Sequence, residues 1–335
     1  VDEGMKRHEL QIVVVILCVA VAMASARADQ GPSFPLHVLD VLPLTSDHIV
    51  ISLWRGAVAK TLDGGATWTE VSTPALQHLA LGDGGRVWGL HGWQGIHEPS
   101  SGSLALSTDG GSTFQFHALK LSAAEQPPEA FIHAPGSRPV LLTGSGQLWR
   151  HRGGGPGWAN WERVGRVPTS NEITTGFTAG SSIYVADQHT VWLSRDNGRN
   201  WQHHDLPGIS SFSHDGATCW AAQYRGNLYR AHCGTQDWVR FARVEALETV
   251  YGIATIKART FIAGRTATSE AFSACVSATR RIHVLKTDQA GATANVRRAG
   301  DGSLWLFGDG LFRMVRGHWR SVWPPRDAAQ QGRIM

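Results

Sequence analysis

Apolar positions in this chain come in short runs separated by Gly, Asp, Asn and Ser, not at helical spacing. In one stretch the runs fall near 75–80, 86–90, 103–107 and 114–118; in another they are Ile183–Ala186, Val191–Ser194 and Trp201–His204. Runs this short, bounded by turn residues, predict β-strands. Alternation within them is imperfect, as expected where strands pack between neighbouring sheets. The exception lies at the N-terminus, where Lys6 and Arg7 precede the apolar run Ile12–Met23. That run is shorter than the ~20 residues a membrane-spanning helix needs, and the small residues Ala24-Ser25-Ala26-Arg27-Ala28 follow it. The pattern predicts a secretory signal peptide over 1–28, cleaved before Asp29. Beyond it no helical periodicity of useful length occurs.

The strand pattern repeats. Thr61-Leu62-Asp63-Gly64-Gly65-Ala66-Thr67-Trp68, Ser107-Thr108-Asp109-Gly110-Gly111-Ser112-Thr113-Phe114 and Ser194-Arg195-Asp196-Asn197-Gly198-Arg199-Asn200-Trp201 share the form S/T-x-D-x-G-x-x-W/F. Each sits between two β-like runs, so each occupies a hairpin. Gly accepts positive φ, the Asp carboxylate accepts backbone N–H groups within the loop, and the aromatic anchors the returning strand in apolar packing. Weaker relatives place further anchors at Trp161, Trp238 and Trp319. The double-length gap between the last two leaves room for one degenerate unit near 250–290, which has no aromatic anchor. Residues 29–335 then divide into seven units of about 44 residues, each with room for four strands, a period typical of radially repeated sheets. Such a sheet buries its faces only against its neighbours, so the prediction is all-β: a seven-bladed β-propeller of four-stranded antiparallel blades, one domain over 29–335 with short irregular tails.

The three S/T-x-D-x-G-x-x-W/F segments resemble the Asp-box, or BNR, repeats of sialidases, xyloglucanase-type glycosidases, sortilin-like receptors and photosystem-II assembly-factor-type propellers. The resemblance implies that the Asp box is a structural turn on the outer hairpin of a blade, remote from the usual ligand-binding face. Asp63, Gly65, Trp68, Asp109, Gly111, Phe114, Asp196, Gly198 and Trp201 are accordingly expected to shape turns, and the three aspartates are not expected to be catalytic. Sialidase-like activity would further require an Arg-Ile-Pro-type segment, which does not occur, and a Tyr nucleophile with a Glu partner. Of the tyrosines, Tyr224 and Tyr251 could line a pocket, and neither has a Glu at a diagnostic position.

Composition narrows the picture further. The chain has 335 residues, 42% hydrophobic and 17% charged, with a net charge of +4, so it folds and buries a large core. No dense Lys/Arg run points to nucleic acid. Three cysteines follow the signal, Cys219, Cys233 and Cys275, too few for a disulfide framework. Cys219 and Cys233 flank the Gly226-Asn227 turn. A three-residue loop there sets them opposite one another, whereas a one-residue register change sends their side chains to opposite faces, so their pairing stays open.

Catalytic motifs are missing from the sequence: no His-Glu-x-x-His, Gly-x-Ser-x-Gly, Walker loop or CxxC occurs, and the scattered histidines form no ligand grouping. The Gly-rich run Gly153–Gly157 reads as a blade turn with no helix after it. Neither metal nor cofactor is expected, and no catalytic residue is assigned. A two-carboxylate glycosidase needs only an acid and a base facing one cleft. Asp47, Glu98, Glu125, Glu129, Glu172, Asp187, Asp215 and Glu270 are candidates, and no spacing unites a pair. The second unit carries an enlarged middle-strand connection, His91–Gly102, on the face opposite the Asp-box turns. Its Trp93, Gln94, His97 and Glu98 suit a sugar ring or a peptide segment, and Trp93 suits equally a cover over its blade. The sixth unit reads as a long Ser/Thr/Ala-rich loop, Arg265–Thr279, over the same face, with Arg280-Arg281 either meeting an acidic partner or ending a strand in solvent. The expected role is non-covalent: a secreted or periplasmic binding scaffold for an envelope or extracellular protein or glycan, with no stable membrane span after cleavage. A sialidase-related glycoside hydrolase is the alternative.

Overall fold

The computed structural model describes residues 37–54, 56–91, 102–121, 128–132, 138–155, 157–285 and 294–323. The segments 1–36 and 92–101, which hold the expected signal peptide and Trp93, Gln94, His97 and Glu98, lie outside the described residues. Among the described residues the strands form seven four-stranded antiparallel sheets. The sheets are Val38–Val71, Leu76–Ala118, Pro128–Arg166, Ile173–Asp205, Ile209–Arg243, Thr249–Val284 and Ala294–Trp323, taken here as blades 1 to 7. Within each blade the strands pair in chain order, so every blade is one contiguous stretch. The first strands of successive blades lie side by side, and that of blade 1 meets the second strand of blade 7, which closes a seven-bladed β-propeller.

Apolar side chains fill the seams between blades. One cluster joins Leu142, Leu148 and Ile183, another joins Trp220, Leu228, Ile253 and Ile262. A blade is covered on both broad faces, which explains near-continuous burial in the second strands, such as Ile49–Leu53 and Ser182–Asp187. The only helical elements among the described residues are three single 3-10 turns. One of them, Trp158–Asn160, follows the Gly153–Gly157 run, where the sequence pointed to no helix.

The three sequence-repeated turns join third to fourth strands in blades 1, 2 and 4, and they share one hydrogen-bond pattern. The first hydroxyl donates to the aspartate: Thr61 to Asp63 at 2.7 Å, Ser107 to Asp109 at 2.7 Å, Ser194 to Asp196 at 2.9 Å. The same hydroxyl accepts the N–H of Gly65, Gly111 or Gly198. The same carboxylate oxygen, Oδ1, also accepts the backbone N–H of Thr67, Thr113 or Asn200, and Oδ2 accepts that residue's side-chain donor. These donors hold the carboxyls of Asp63 and Asp196 below the ordinary carboxylate range, Asp196 at about 2; at Asp109 they outweigh an opposing burial effect.

The glycine of each turn serves the preceding blade. Gly65, Gly111 and Gly198 all have positive φ, and a Cβ there would meet Val322, Val50 or Leu148 within 2.9 Å. The aromatic follows the same direction. Trp68 packs edge-on against Trp323 with its Nε1 donating to the Val322 carbonyl, Phe114 joins the blade 1 core, and Trp201 joins that of blade 3. Trp161, Trp238 and Trp319 do the same without the full motif.

The sixth unit departs from its sequence reading. Ala271–Val276 is a third strand, and 266–270 and 277–281 are tight turns, so Arg265–Thr279 is not a long loop over the face opposite the repeated turns. Small residues misled there: Ala274 and Cys275 are buried between blades, where little room is left. Arg280 and Arg281 lie in a third-to-fourth-strand turn, on the same face as the repeated turns.

Cys219 and Cys233 are joined in a disulfide, with Cα atoms 4.9 Å apart. Cys219 faces Ala231 directly, and the Cys233 N–H bonds the Ala217 carbonyl. The pairing is therefore diagonal. A two-residue offset keeps both sulfurs on one face, where a one-residue offset would have separated them.

Candidate functional site

In an antiparallel blade, the entry to the first strand and the second-to-third-strand loop share one end, and the repeated turns share the other. At this entry end, six of the seven innermost strands carry a β-bulge, five at the second residue, Leu39, Gln77, Glu129, Thr174 and Ser210, and one at the third, Tyr251. Blade 7 pairs without one. A bulge bends its strand and re-aims the extra side chain, and bulges gather next to functional sites. Here they ring the entry mouth of the central channel.

Two of the six are tied back. Thr174 Oγ1 donates to the Ile209 carbonyl of blade 5 at 2.8 Å, and Ser210 Oγ to the Ala222 carbonyl at 3.2 Å. Glu129 is set differently. It is half-buried, and burial together with the charge of Glu172, which precedes the first strand of blade 4, pushes its carboxyl up to about 7. Of the carboxylates singled out from the sequence, these two are the pair the fold brings together.

The others go elsewhere. Asp187 is fully buried and accepts from Thr169 Oγ1, Trp192 Nε1 and the N–H groups of His189 and Thr190. Burial opposes its ionisation, and those four donors outweigh it and leave its carboxyl below the usual range. It is a turn residue. Asp215 accepts the Thr218 N–H in a turn, and Glu270 is exposed on another. Glu98 and Glu125 lie outside the described residues. Tyr224, on the short turn after the second strand of blade 5, is exposed on the entry face.

His91 and Gly102, which flank the 92–101 segment, lie on the same face. These roots are fixed: His91 Nδ1 bonds the Ala75 carbonyl at 2.8 Å, and the Gly102 carbonyl accepts the Leu119 N–H at 3.0 Å.

Deeper in the ring lies a network that sequence reasoning missed. Asp40 of blade 1 is buried and accepts the N–H of Val41 and of Leu79 from blade 2. Arg297 of blade 7 donates to Asp40 at 2.5 Å and to the carbonyls of Val41 and Leu79. Three blades thus meet at one ion pair. Burial lowers the pKa of the neighbouring His78; Asp40 opposes that shift and Arg297 reinforces it. No motif spacing connects residues so far apart in the chain, so only the closed ring reveals them.

Among the described residues no group of three or more His, Cys, Asp or Glu side chains could hold a metal ion, and no helix is long and apolar enough to cross a membrane.

No protein-family model and no curated protein matches the chain. Solved structures do. YCF48 from Cyanidioschyzon merolae is 14% identical with a TM-score of 0.66, covering 85% of this chain and 97% of that one. A structure described as YCF48 bound to D1 peptide is 15% identical with a TM-score of 0.63, covering 86% and 96%. The GH74 xyloglucanase from Xanthomonas campestris is 14% identical with a TM-score of 0.65, covering 85% of this chain and 54% of that one. At these identities the likeness is one of fold.

Proposed function

We propose that this chain is a secreted or periplasmic propeller of the Asp-box type that binds an envelope or extracellular protein or glycan without catalysis. The observation that carries the reading is the entry mouth. Six bulged strands present their bulged residues around one opening, and His91 and Gly102, the two roots of the enlarged 92–101 connection, lie on the same face. Trp93 would supply a flat apolar contact there, with Gln94, His97 and Glu98 as polar partners. A propeller of similar fold has been solved with a peptide bound, which supports binding as a use for this architecture.

The test is a glycan array and a peptide array probed with the chain from Asp29 onward and with its Trp93→Ala variant. A set of ligands lost on Trp93→Ala supports the proposal. Ligands bound equally by both proteins place recognition elsewhere. Mass spectrometry of the exported protein checks the compartment, with cleavage before Asp29 as the expected result.

A second reading, glycoside hydrolysis, has one specific support: a carboxyl near 7 beside a second carboxylate is the arrangement of a general acid with its partner. Reducing-end release from a polysaccharide panel including sialylated substrates, abolished by Glu129→Gln, would replace the binding reading with this one.

A further inference from the structure

Six blades send an aromatic back onto the preceding blade; blade 6 does not. Its turn keeps half of the repeated device. Ser277 Oγ lies 3.0 Å from Thr279 Oγ1 and accepts the Arg281 N–H, and Arg280 has φ 64°, as Asn197 has φ 63° in blade 4. The second half is missing: after Arg281 the chain enters the fourth strand, Ile282–Val284, at once.

The seam with blade 5 shows the consequence. Ile282 and Val284 pair with Val276 and Ala274, which face blade 5, so they face it too. They are 41% and 58% exposed. Across the seam, Val239 is 54% exposed and pairs with Arg230 on the same face. Three of the six exposed large hydrophobics among the described residues therefore line this one seam. Beneath them Phe241 is buried, with the guanidinium groups of Arg230 and Arg280 over its ring at 4.8 Å and 5.5 Å. Neither arginine has an ion-pair partner among the described residues. A guanidinium stacked on a ring keeps its N–H edge free for a carboxylate and is already held in place.

We propose that the seam between blades 5 and 6 docks an extended segment of a partner protein that carries an aromatic residue flanked by carboxylates. The aromatic seats where blade 6 has no anchor of its own, against Val239, Ile282 and Val284. The carboxylates pair with Arg230 and Arg280, and the outer edge of Ile282–Val284, which pairs only with the third strand of its blade among the described residues, accepts the segment as an added strand. Charge complementarity selects this occupant: two oriented cations with no ion-pair partner among the described residues rim an exposed apolar contact. The site lies on the face of the repeated turns and does not depend on the entry-face reading.

The probe is a fluorescein-labelled peptide, Gly-Asp-Val-Trp-Val-Glu-Gly, titrated against the full chain by anisotropy. The expected result is saturable binding that weakens about tenfold or more when its Trp becomes Ala, when its acids become amides, or in the Arg280→Glu protein. A second protein, with Ser277–Arg281 replaced by the eight residues of the blade 4 turn, Ser194–Trp201, restores the missing anchor. It is expected to lose the probe while melting no lower than the parent. Absence of binding at about 1 mM probe, or equal binding by both altered proteins, overturns the proposal. So does light scattering that shows a dimer of the parent chain converted to monomer by the graft, since the seam would then belong to a second copy.

Discussion

The seams before blade 4 and before blade 6 are built from the same opening move and end differently. At blade 4, Ser194 and Asp196 close the turn, Gly198 lets its backbone lie against Leu148, and Trp201 fills the seam with blade 3. At blade 6, Ser277 and Thr279 close a shorter turn, Arg281 stands in the glycine place, and no aromatic follows. The hydroxyl half of the device is therefore enough to reverse the chain. The carboxylate braces the longer turn from within, and the glycine and aromatic serve a second purpose, which is to weld a blade to the one before it.

That division can be broken deliberately. Trp201→Ala removes the filling of the seam and is expected to lower unfolding stability by about 3 kcal/mol, measured by urea titration; Ile282→Ala, in an unfilled seam, should change it by no more than ~0.5 kcal/mol. Gly198→Ala forces a Cβ within 2.7 Å of the Leu148 methyl at a φ of +88° and is expected to cost about 2 kcal/mol. Arg281→Ala at the matching place should be close to neutral. Equal losses at the two places would show that the glycine serves only its own turn.

Acid separates the seams more gently. The Asp196 carboxyl is held at about 2 against an ordinary 3.8, and those of Asp63 and Asp109 are lowered too. A depressed carboxyl contributes stability that is fully present above its unfolded value and lost as pH falls through its folded one. Melting temperature should therefore decline from about pH 4 towards pH 2, and the decline should shrink in the triple Asp63→Asn, Asp109→Asn, Asp196→Asn protein. Thr279 has nothing to titrate. Glu129 has the opposite sign: raised from 4.5 to about 7, it favours the fold when protonated, so stability should fall as pH rises between those values. Glu129→Gln is expected to remove that limb, a difference of a few degrees at pH 8.

What could be read from the sequence follows the range of the forces involved. Turns close over a handful of residues, so Asp63, Asp109 and Asp196 announced themselves, and strand limits in blades 2 and 4 fell within a residue or so of those observed. The unit without an anchor was visible as a gap. The bulge ring was not, because Leu39, Gln77, Glu129, Thr174, Ser210 and Tyr251 share a place in the backbone and no common side-chain chemistry. Glu129 with Glu172, and Arg230 with Arg280, meet only across blades, where spacing carries no information. The Ser/Thr/Ala-rich stretch at 265–279 resembled a loop in composition, yet its small side chains suit a strand pressed between two sheets.

The contiguity of each blade also orders events on the ribosome. A blade can complete its own sheet as soon as its four strands emerge, since none borrows a strand from another. The buried Asp40 is different: its guanidinium partner arrives 257 residues later. In a nascent chain that stops short of Arg297, closing the ring would bury Asp40 without its cationic partner, which disfavours early closure. The same contiguity means that circular permutants, with new ends placed between any two blades, keep every hydrogen-bonded sheet whole.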